Sequence, residues 1–181
     1  SDPEDPPEVV VVIDPGMAFG TAEHGTTRGC LRLLDTVVAP GERLLDVGAG
    51  SGVLAIAAVL LGASEVVALE GDALACEALS ENLDHNGVAD RVRWVEGLVD
   101  SEGLIAYGPV DGILANIESA TLARLLSGFA GAVRPGGWLI LSGILAEEWS
   151  SLREAAEAAG FGLRDLDSDG EWRAGLFERR H

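Results

Sequence analysis

The sequence predicts an α/β protein whose doubly wound, mostly parallel sheet ends in an antiparallel hairpin. Short apolar segments alternate with helical segments between residues 43 and 159, which is the pattern of strands joined by helical crossovers. The composition agrees, because 48% hydrophobic residues with only 5% aromatic residues and 24 glycines suit a buried parallel sheet covered by small-residue helices. A chain of 181 residues is long enough for one domain with a single core.

The predicted elements follow one another along the chain. The acidic, proline-rich residues 1–8 are expected to form a disordered tail, and residues 9–181 the domain. The β-branched residues 9–13 predict an edge or capping strand. Strands are expected at 43–47, 65–69, 92–95, 110–115 and 138–142, and helices at 26–38, 53–61, 72–86, 119–133 and 147–159. Residues 162–166 and 172–177 have the composition of a hairpin, which would add an antiparallel strand at one edge of the sheet.

The most informative stretch is residues 44–54, where an apolar strand runs directly into three glycines. Gly48, Gly50 and Gly52 allow the backbone to approach a ligand and to turn into a helix whose amino end is electropositive. The dinucleotide pattern needs its third glycine three places after the second, but position 53 is Val, so a pyrophosphate cradle does not match. The spacing G-x-G-x-G instead resembles motif I of the Rossmann-like class I methyltransferases, which use S-adenosylmethionine.

Polar or glycine positions end four of the predicted strands, at the edge where sheets of this type bind ligands. Glu70 ends the second strand, 18 residues beyond Gly52, and can accept hydrogen bonds from both hydroxyls of an adenosine ribose. The three glycines are expected to pass beneath the methionine part of the cofactor. Glu96 and Leu98, after the third strand, are expected to border the adenine, with an ordinary loop as the alternative.

Asn116 ends the fourth strand and is the predicted catalytic residue. Its amide oxygen can hold an amine by an N–H group and so direct the lone pair for in-line displacement. The alternative is a turn that caps the next helix. His24 and Glu118 are candidates to accept the proton through water, with loop hydrogen bonding as the alternative. Trp149 and Trp172 are expected to serve hydrophobic packing, with a place at the substrate opening as the alternative.

The charge balance limits the partners. The net charge is −18, and all 12 basic residues are Arg, with no Lys. Such a surface repels phosphate backbones, so we expect no extended nucleic-acid binding and a basic protein partner, although acidity that only serves solubility is the alternative. Because no apolar run reaches the roughly 18 to 20 residues of a membrane span, and no signal peptide is recognisable, a cytoplasmic protein is expected. The two cysteines have neither disulfide nor metal-site spacing.

The chain resembles the ribosomal protein L11 methyltransferases from about residue 9 to its end. The matching strings are Asp14-Pro15-Gly16-Met17-Ala18-Phe19-Gly20-Thr21 with His24 and Thr26-Thr27, residues 46–57, Ala115-Asn116-Ile117 and Ser142-Gly143-Ile144-Leu145. The resemblance implies the class I fold and methyl transfer from S-adenosylmethionine, with S-adenosylhomocysteine as product. The acceptors in that family are lysine side chains and an N-terminal amine of a ribosomal protein.

The resemblance also implies roles for single residues. Cofactor contacts would fall on four positions, Thr27, Gly48, Glu70 and Asn116. Phe19 and Gly20 would close over the cofactor. The family usually has Asp in place of Glu70, and Ala22 and Glu23 also depart from its loop pattern. Family members carry a separate amino-terminal recognition domain, so the sequence predicts either a fragment or a different substrate.

Three alternatives to a ribosomal protein methyltransferase remain. The acceptor could be another protein or a small-molecule amine, since stand-alone lysine methyltransferases resemble the same catalytic domain. The chain could also be a non-catalytic scaffold that only binds the cofactor. A nicotinamide-dependent oxidoreductase is the third alternative, but the glycine spacing opposes it and a chain without lysine cannot form a Tyr-x-x-x-Lys pair.

Overall fold

The computed structural model describes residues 9–14 and 25–181. The strands in this part of the chain are β1 (Arg43–Val47), β2 (Glu65–Glu70), β3 (Val92–Glu96), β4 (Val110–Asn116), β5 (Val133–Leu145), β6 (Phe161–Asp169) and β7 (Trp172–Arg179). The helices are α1 (Gly25–Val37), α2 (Val53–Leu60), α3 (Ala73–His85), α4 (Ser101–Ile105), α5 (Ser119–Ala132) and α6 (Trp149–Ala158). None of the described helices has the length and apolar character of a membrane span.

All seven strands belong to one sheet with the order β3-β2-β1-β4-β5-β7-β6. Strands β1 to β5 pair in parallel, and β7 lies between β5 and β6 and is antiparallel to both. The chain order reverses next to β1, so the carboxyl ends of β1 and β4 lie side by side there, where ligands bind in doubly wound sheets. The predicted α/β architecture is therefore confirmed, including the closing hairpin.

The central strands of the sheet are buried on both faces, as expected for parallel strands covered by helices. Successive residues of β1 show this, because Leu44 packs into the core under α1, α2 and α3, whereas Leu45 packs into the core under α4, α5 and α6. Helix α2 is the most enclosed, with every residue from Val53 to Val59 buried. The turn that leads into α2 is consequently anchored in the core at the end where the helix begins.

Local signals in the sequence account for several helix ends. The Asp72 side chain accepts the backbone N–H of Leu74 at 2.9 Å and so caps α3. Gly87, just beyond that helix, has φ +66°, the left-handed conformation that commonly ends a helix. Asp100 caps the short helix α4 in the same way, through the N–H of Gly103 at 2.8 Å. These capping contacts fix the helices that flank the carboxyl end of the sheet.

Helix α1 is tied to the closing hairpin by ion pairs. Arg28 contacts Asp169 at 3.1 Å, and Arg32 contacts Asp167 at 2.7 Å and Asp169 at 2.9 Å. These two arginines hold the pKa of the Asp169 carboxyl at about 2. Because Thr27 is the direct neighbour of Arg28 on α1, the ion pairs help to set where the beginning of α1 meets the sheet.

The structure differs from the predicted elements in three places. Residues 9–13 form no strand, because this segment hydrogen-bonds to side chains of α3 rather than to a neighbouring strand. Helix α4 was not predicted, since five residues carry too little periodicity. The hairpin adds two strands rather than one, with β7 inserted between β5 and β6. The predicted tail over residues 1–8 lies outside the described residues.

Candidate functional site

The glycine turn after β1 is held by backbone hydrogen bonds to the next strand. The N–H groups of Gly48 and Ala49 both donate to the carbonyl oxygen of Leu69, at 2.9 and 3.0 Å. Gly48, Gly50 and Gly52 have φ values of +73°, +56° and +88°, which L side chains rarely adopt. The three predicted glycines are thus needed for the backbone path itself.

Two of these glycines also allow close packing. A Cβ atom at Gly48 would collide with Cγ2 of Ile117, and one at Gly52 would collide with Cδ1 of Leu79. Gly48 lines the cavity at the end of the sheet, whereas Gly52 packs α2 against α3. The two residues therefore act differently, although the sequence pattern treats them alike.

Glu70 connects the ends of three strands. Its Oε1 accepts the N–H of Gly50 at 2.9 Å, and its Oε2 accepts the N–H of Asp72 at 2.9 Å. Its backbone carbonyl accepts the N–H of Gly97 at 2.8 Å. A carboxylate has about four lone-pair positions, so two backbone donors leave acceptor capacity on both oxygens. The carboxylate is fixed in place and still able to bind a ligand with two hydroxyls.

Two adjoining cavities form a cleft along the carboxyl ends of the strands. Gly48, Glu70 and Ile117 line both of them. The first cavity, of about 550 Å³, is lined further by Thr26, Thr27, Ala49, Gly50, Val53, Leu54, Asn116, Glu118, Gly143 and Trp172. The second, of about 410 Å³, is lined further by Val47, Leu69, Gly71, Asp72, Gly97, Leu98, Val99, Thr121 and Leu125. The cleft thus runs across the glycine turn, with Glu70 at its middle.

The first cavity carries negative charge. Glu70 and Glu118 are its two ionisable lining residues in the part of the chain that the structure describes, and both are acidic. The second cavity adds Asp72 and otherwise consists of glycine, apolar residues and one threonine. A cleft of this kind favours a cationic ligand at one end and an apolar, planar group at the other.

Asn116 lies at the end of β4, inside the first cavity. Its Nδ2 donates to Oγ1 of Thr27 at 3.4 Å, which joins the end of the sheet to the start of α1. Ser142 on β5 makes a second connection, since its Oγ donates to the carbonyl oxygen of Thr26 at 2.8 Å. The predicted residues Thr27 and Asn116 are therefore in direct contact, and Asn116 keeps its carbonyl oxygen Oδ1 as an acceptor.

Asp46, two residues before Gly48, is 1% exposed. Neither of its carboxylate oxygens accepts a hydrogen bond of good geometry from the described residues. Burial first, and then the charge of Glu70, raise the pKa of Asp46 to about 7, although the backbone N–H of Ala55 partly offsets them. The strand that leads into the glycine turn thus contains a carboxyl that burial biases toward its neutral form.

The remaining predicted site residues do not all lie at the cleft. Leu98 lines the second cavity and is 95% exposed, so its apolar side chain is available to a ligand. Glu96 is paired in register with Glu70, but it lines a separate groove between β3 and α3. Phe19, Gly20 and His24 lie outside the described residues, so their roles stay predictions.

Three lining residues were missed or misjudged in the sequence. Ile117 separates the two cavities, and Gly143 brings β5 so near that a Cβ there would lie 2.6 Å from the carbonyl oxygen of Ile117. Trp172 lines the first cavity, which agrees with the alternative of a place at the opening. Trp149, by contrast, is 8% exposed and packs near Phe177, with ring centroids 6.0 Å apart, as predicted.

The fold and the position of the cleft are those of the Rossmann-like class I methyltransferases. The precorrin-6y C5,15-methyltransferase of Geobacter metallireducens superposes with a TM-score of 0.71 over 83% of this chain and 87% of that chain. Its sequence is only 17% identical, so this likeness concerns the fold. The ribosomal protein L11 methylase of Lactobacillus delbrueckii subsp. bulgaricus is more similar, with a TM-score of 0.84 and 29% identity over 98% of this chain and 92% of that chain.

Sequence comparison narrows the class to one family. The family model for ribosomal protein L11 methyltransferase (PrmA) matches residues 1–180. The chain belongs to this family. The L11 methyltransferase of Pelotomaculum thermopropionicum is 45% identical over 91% of this chain and 53% of its own length, and that of Gloeobacter violaceus is 42% identical over 93% and 52%. This chain therefore spans about half the length of these relatives.

Proposed function

We propose that this chain is a catalytic domain that transfers methyl groups from S-adenosylmethionine to amine nitrogens of a protein, and that the acceptor is a basic ribosomal protein. The observation that carries the proposal is the acidic cleft at the glycine turn, where Glu70 is locked by the N–H groups of Gly50 and Asp72. Family membership supports the reaction class. The relatives' printed names support ribosomal protein L11 as the acceptor.

The described residues fit S-adenosylmethionine along the whole cleft. Glu70 offers acceptor positions on both carboxylate oxygens to the two ribose hydroxyls. The second cavity, with Leu98 and Val99, offers an apolar surface for the adenine. Gly48 and Gly50 leave room beneath the methionine part in the first cavity, whose carboxylates suit a positively charged sulfonium. Glu96 lines the neighbouring groove, so we assign it no adenine contact.

When bound, S-adenosylmethionine supplies an electrophilic methyl group on a positively charged sulfur. Asn116 would orient the incoming amine by accepting an N–H in its Oδ1, while Thr27 holds the amide from the other side. This arrangement directs the nitrogen lone pair along the line of displacement, so that the new C–N bond forms as the C–S bond breaks. Trp172 at the cavity wall would exclude water from that line.

The amine must be deprotonated before it attacks, since an unperturbed lysine has a pKa near 10.4. Desolvation in the first cavity favours the neutral amine. Glu118 lines that cavity, and its Oε1 accepts the Oγ1 hydrogen of Thr121 at 3.1 Å, so the carboxylate is held near the opening. We assign Glu118 to attract the ammonium group and to pass its proton to water.

Transfer to isolated protein is the experiment that tests this function. The chain is incubated with S-adenosylmethionine labelled in the methyl group and with proteins extracted from bacterial ribosomes, and ribosomal RNA is added in a parallel reaction. The proposal predicts label in a basic ribosomal protein, recovered as methyl-lysine or as a methylated N-terminal residue. Label in RNA, or no labelled protein despite cofactor binding, would contradict it.

A further inference from the structure

In the described part of the chain, the side chain of Asn82 links a segment outside the sheet to the cofactor turn by hydrogen bonds. Residues 9–14, here called the strap, run along α3. Asn86 binds the middle of the strap from both sides, because the N–H of Val12 donates to its Oδ1 at 2.8 Å and its Nδ2 donates to the carbonyl oxygen of Val12 at 2.7 Å. This exchange resembles the pairing of a β-strand, with an amide side chain in place of the second strand.

Asn82 stands one turn earlier on α3 and makes a different pair of bonds. Its Oδ1 accepts the N–H of Asp14 at 3.2 Å, at the end of the strap. Its Nδ2 donates at 2.9 Å to the carbonyl oxygen of Ser51, which lies between Gly50 and Gly52. Asn82 is 0% exposed, so both bonds are shielded from water. One buried amide thus joins the strap to the cofactor turn.

The carbonyl of Ser51 lies where the turn passes into α2. The carbonyl of Ser51 belongs to the Ser51–Gly52 peptide unit, which leads directly into α2 and lies two peptide units after the N–H of Gly50. Gly50 is bound to Glu70, the proposed ribose ligand, at 2.9 Å. Glycine has access to more backbone conformations than other residues, so a side-chain contact beside Gly50 and Gly52 adds to the backbone hydrogen bonds that select one conformation of the turn. Asn82 supplies that contact from a third element of the fold.

We infer that Asn82 is a positioning residue for S-adenosylmethionine binding, and that it acts through its hydrogen bond to the carbonyl oxygen of Ser51 in the cofactor turn. The inference rests on the proposed function for the identity of the ligand. Asn82 lines neither cavity of the cleft, so its effect is indirect. Asn86 has no bond to the turn among its hydrogen bonds in the described residues, which makes it a matched control on the same helix.

The test compares Asn82→Ala and Asn82→Asp with Asn86→Ala in the full chain. Asn82→Asp keeps the shape of the side chain but removes the N–H group that donates to Ser51. Asn82→Ala introduces no buried charge, so it replaces the aspartate variant if that variant does not fold. Calorimetric titration with S-adenosylmethionine should show affinity about tenfold weaker for the Asn82 variants, the effect of losing one buried hydrogen bond. Asn86→Ala should remain within about twofold of the parent chain, because it leaves the turn untouched.

Two further measurements separate positioning from a general loss of structure. At saturating cofactor the Asn82 variants should reach the kcat of the parent, because Asn82 contacts neither reactant. The change should therefore appear in KM for the cofactor. In the ligand-free chain, amide hydrogen exchange at residues 50–53 should be faster in the Asn82 variants than in the parent or Asn86→Ala, with the β4 and β5 amides unchanged.

The outcomes distinguish this inference from the proposed function. If the Asn82 variants show faster exchange at the turn but the parent chain does not bind S-adenosylmethionine, the proposed ligand is overturned and Asn82 remains the support of the turn. Cofactor binding by the parent, together with unchanged affinity and exchange in both Asn82 variants, would overturn the inference. The same would follow if Asn86→Ala weakened binding as much as the Asn82 variants did.

Discussion

The carboxylate of Glu70 accepts the backbone N–H of Gly50 at 2.9 Å, across the gap between two neighbouring parallel strands. This bond joins the two features that the sequence places 20 residues apart, the glycine turn and the acid at the end of the next strand. It fixes the acid before any ligand binds, so the ordering of Glu70 does not oppose binding. The predictions below follow from this prearranged cleft.

Replacing Gly48 by alanine tests whether the glycine turn is part of the binding site. The substitution forces a left-handed residue, at about 1–2 kcal/mol, and also drives a methyl group into Ile117. Gly87→Ala is the control, because Gly87 has a similar φ of +66° and open space around its Cα. We expect both variants to lose free energy of unfolding in urea, and only Gly48→Ala to lose affinity for S-adenosylmethionine, by about tenfold or more. Equal affinities in the two variants would place the ligand elsewhere.

Asn116→Ala tests the catalytic role of the amide at the end of β4. Losing one oriented polar contact to the reacting amine should lower kcat about 100-fold. The dissociation constant of S-adenosylmethionine should change much less, because Glu70 and the turn remain in place. Single-turnover transfer and calorimetry measure the two effects separately. Asn86→Ala removes an amide of the same size away from the cleft, and a similar fall in its kcat would show that the loss at Asn116 is not specific.

Asp46 gives the free energy of unfolding a characteristic dependence on pH. Its folded-state pKa is about 7, above the unfolded value of about 3.9, so the folded chain holds this proton more tightly. The stabilisation that this proton gives to the folded chain is complete below pH 4 and is lost as the pH rises through 7. The free energy of unfolding changes by roughly 4 kcal/mol for the full shift. In urea, the free energy of unfolding of Asp46→Asn should therefore increase relative to that of the parent from pH 4 to pH 8. A difference that stays constant over this range would contradict the buried, unpaired carboxyl.

The sequence was sufficient for much of the fold because the strong signals are local. The glycine turn, Glu70 and Asn116 each follow an apolar strand, and the alternation of elements brings strand ends to one edge. The placement of Trp172 depends instead on β7 inserting between β5 and β6, a pairing that no local pattern specifies. Ile117 was missed for a similar reason, since its contact with Gly48 exists only after β1 and β4 have paired.

The strap was misjudged for a different physical reason. A β-branched run such as residues 9–13 favours extended backbone, and that part of the expectation agrees with its course along α3. Its hydrogen bonds, however, are made with Asn82 and Asn86, whose side chains imitate a neighbouring strand. Propensity indicates an extended segment but does not identify its partner.

Titration of S-adenosylmethionine into the chain and two glutamate variants tests the central claim most directly. Glu70→Ala removes the proposed ribose ligand, while Glu65→Ala removes a carboxylate from the other end of the same strand, where it forms an ion pair with Arg43 at 3.4 Å. Calorimetry should give one site in the parent chain, affinity weaker by about tenfold or more in Glu70→Ala, and affinity within about twofold of the parent in Glu65→Ala. No binding by the parent, or equal binding by the parent and Glu70→Ala, would contradict the account.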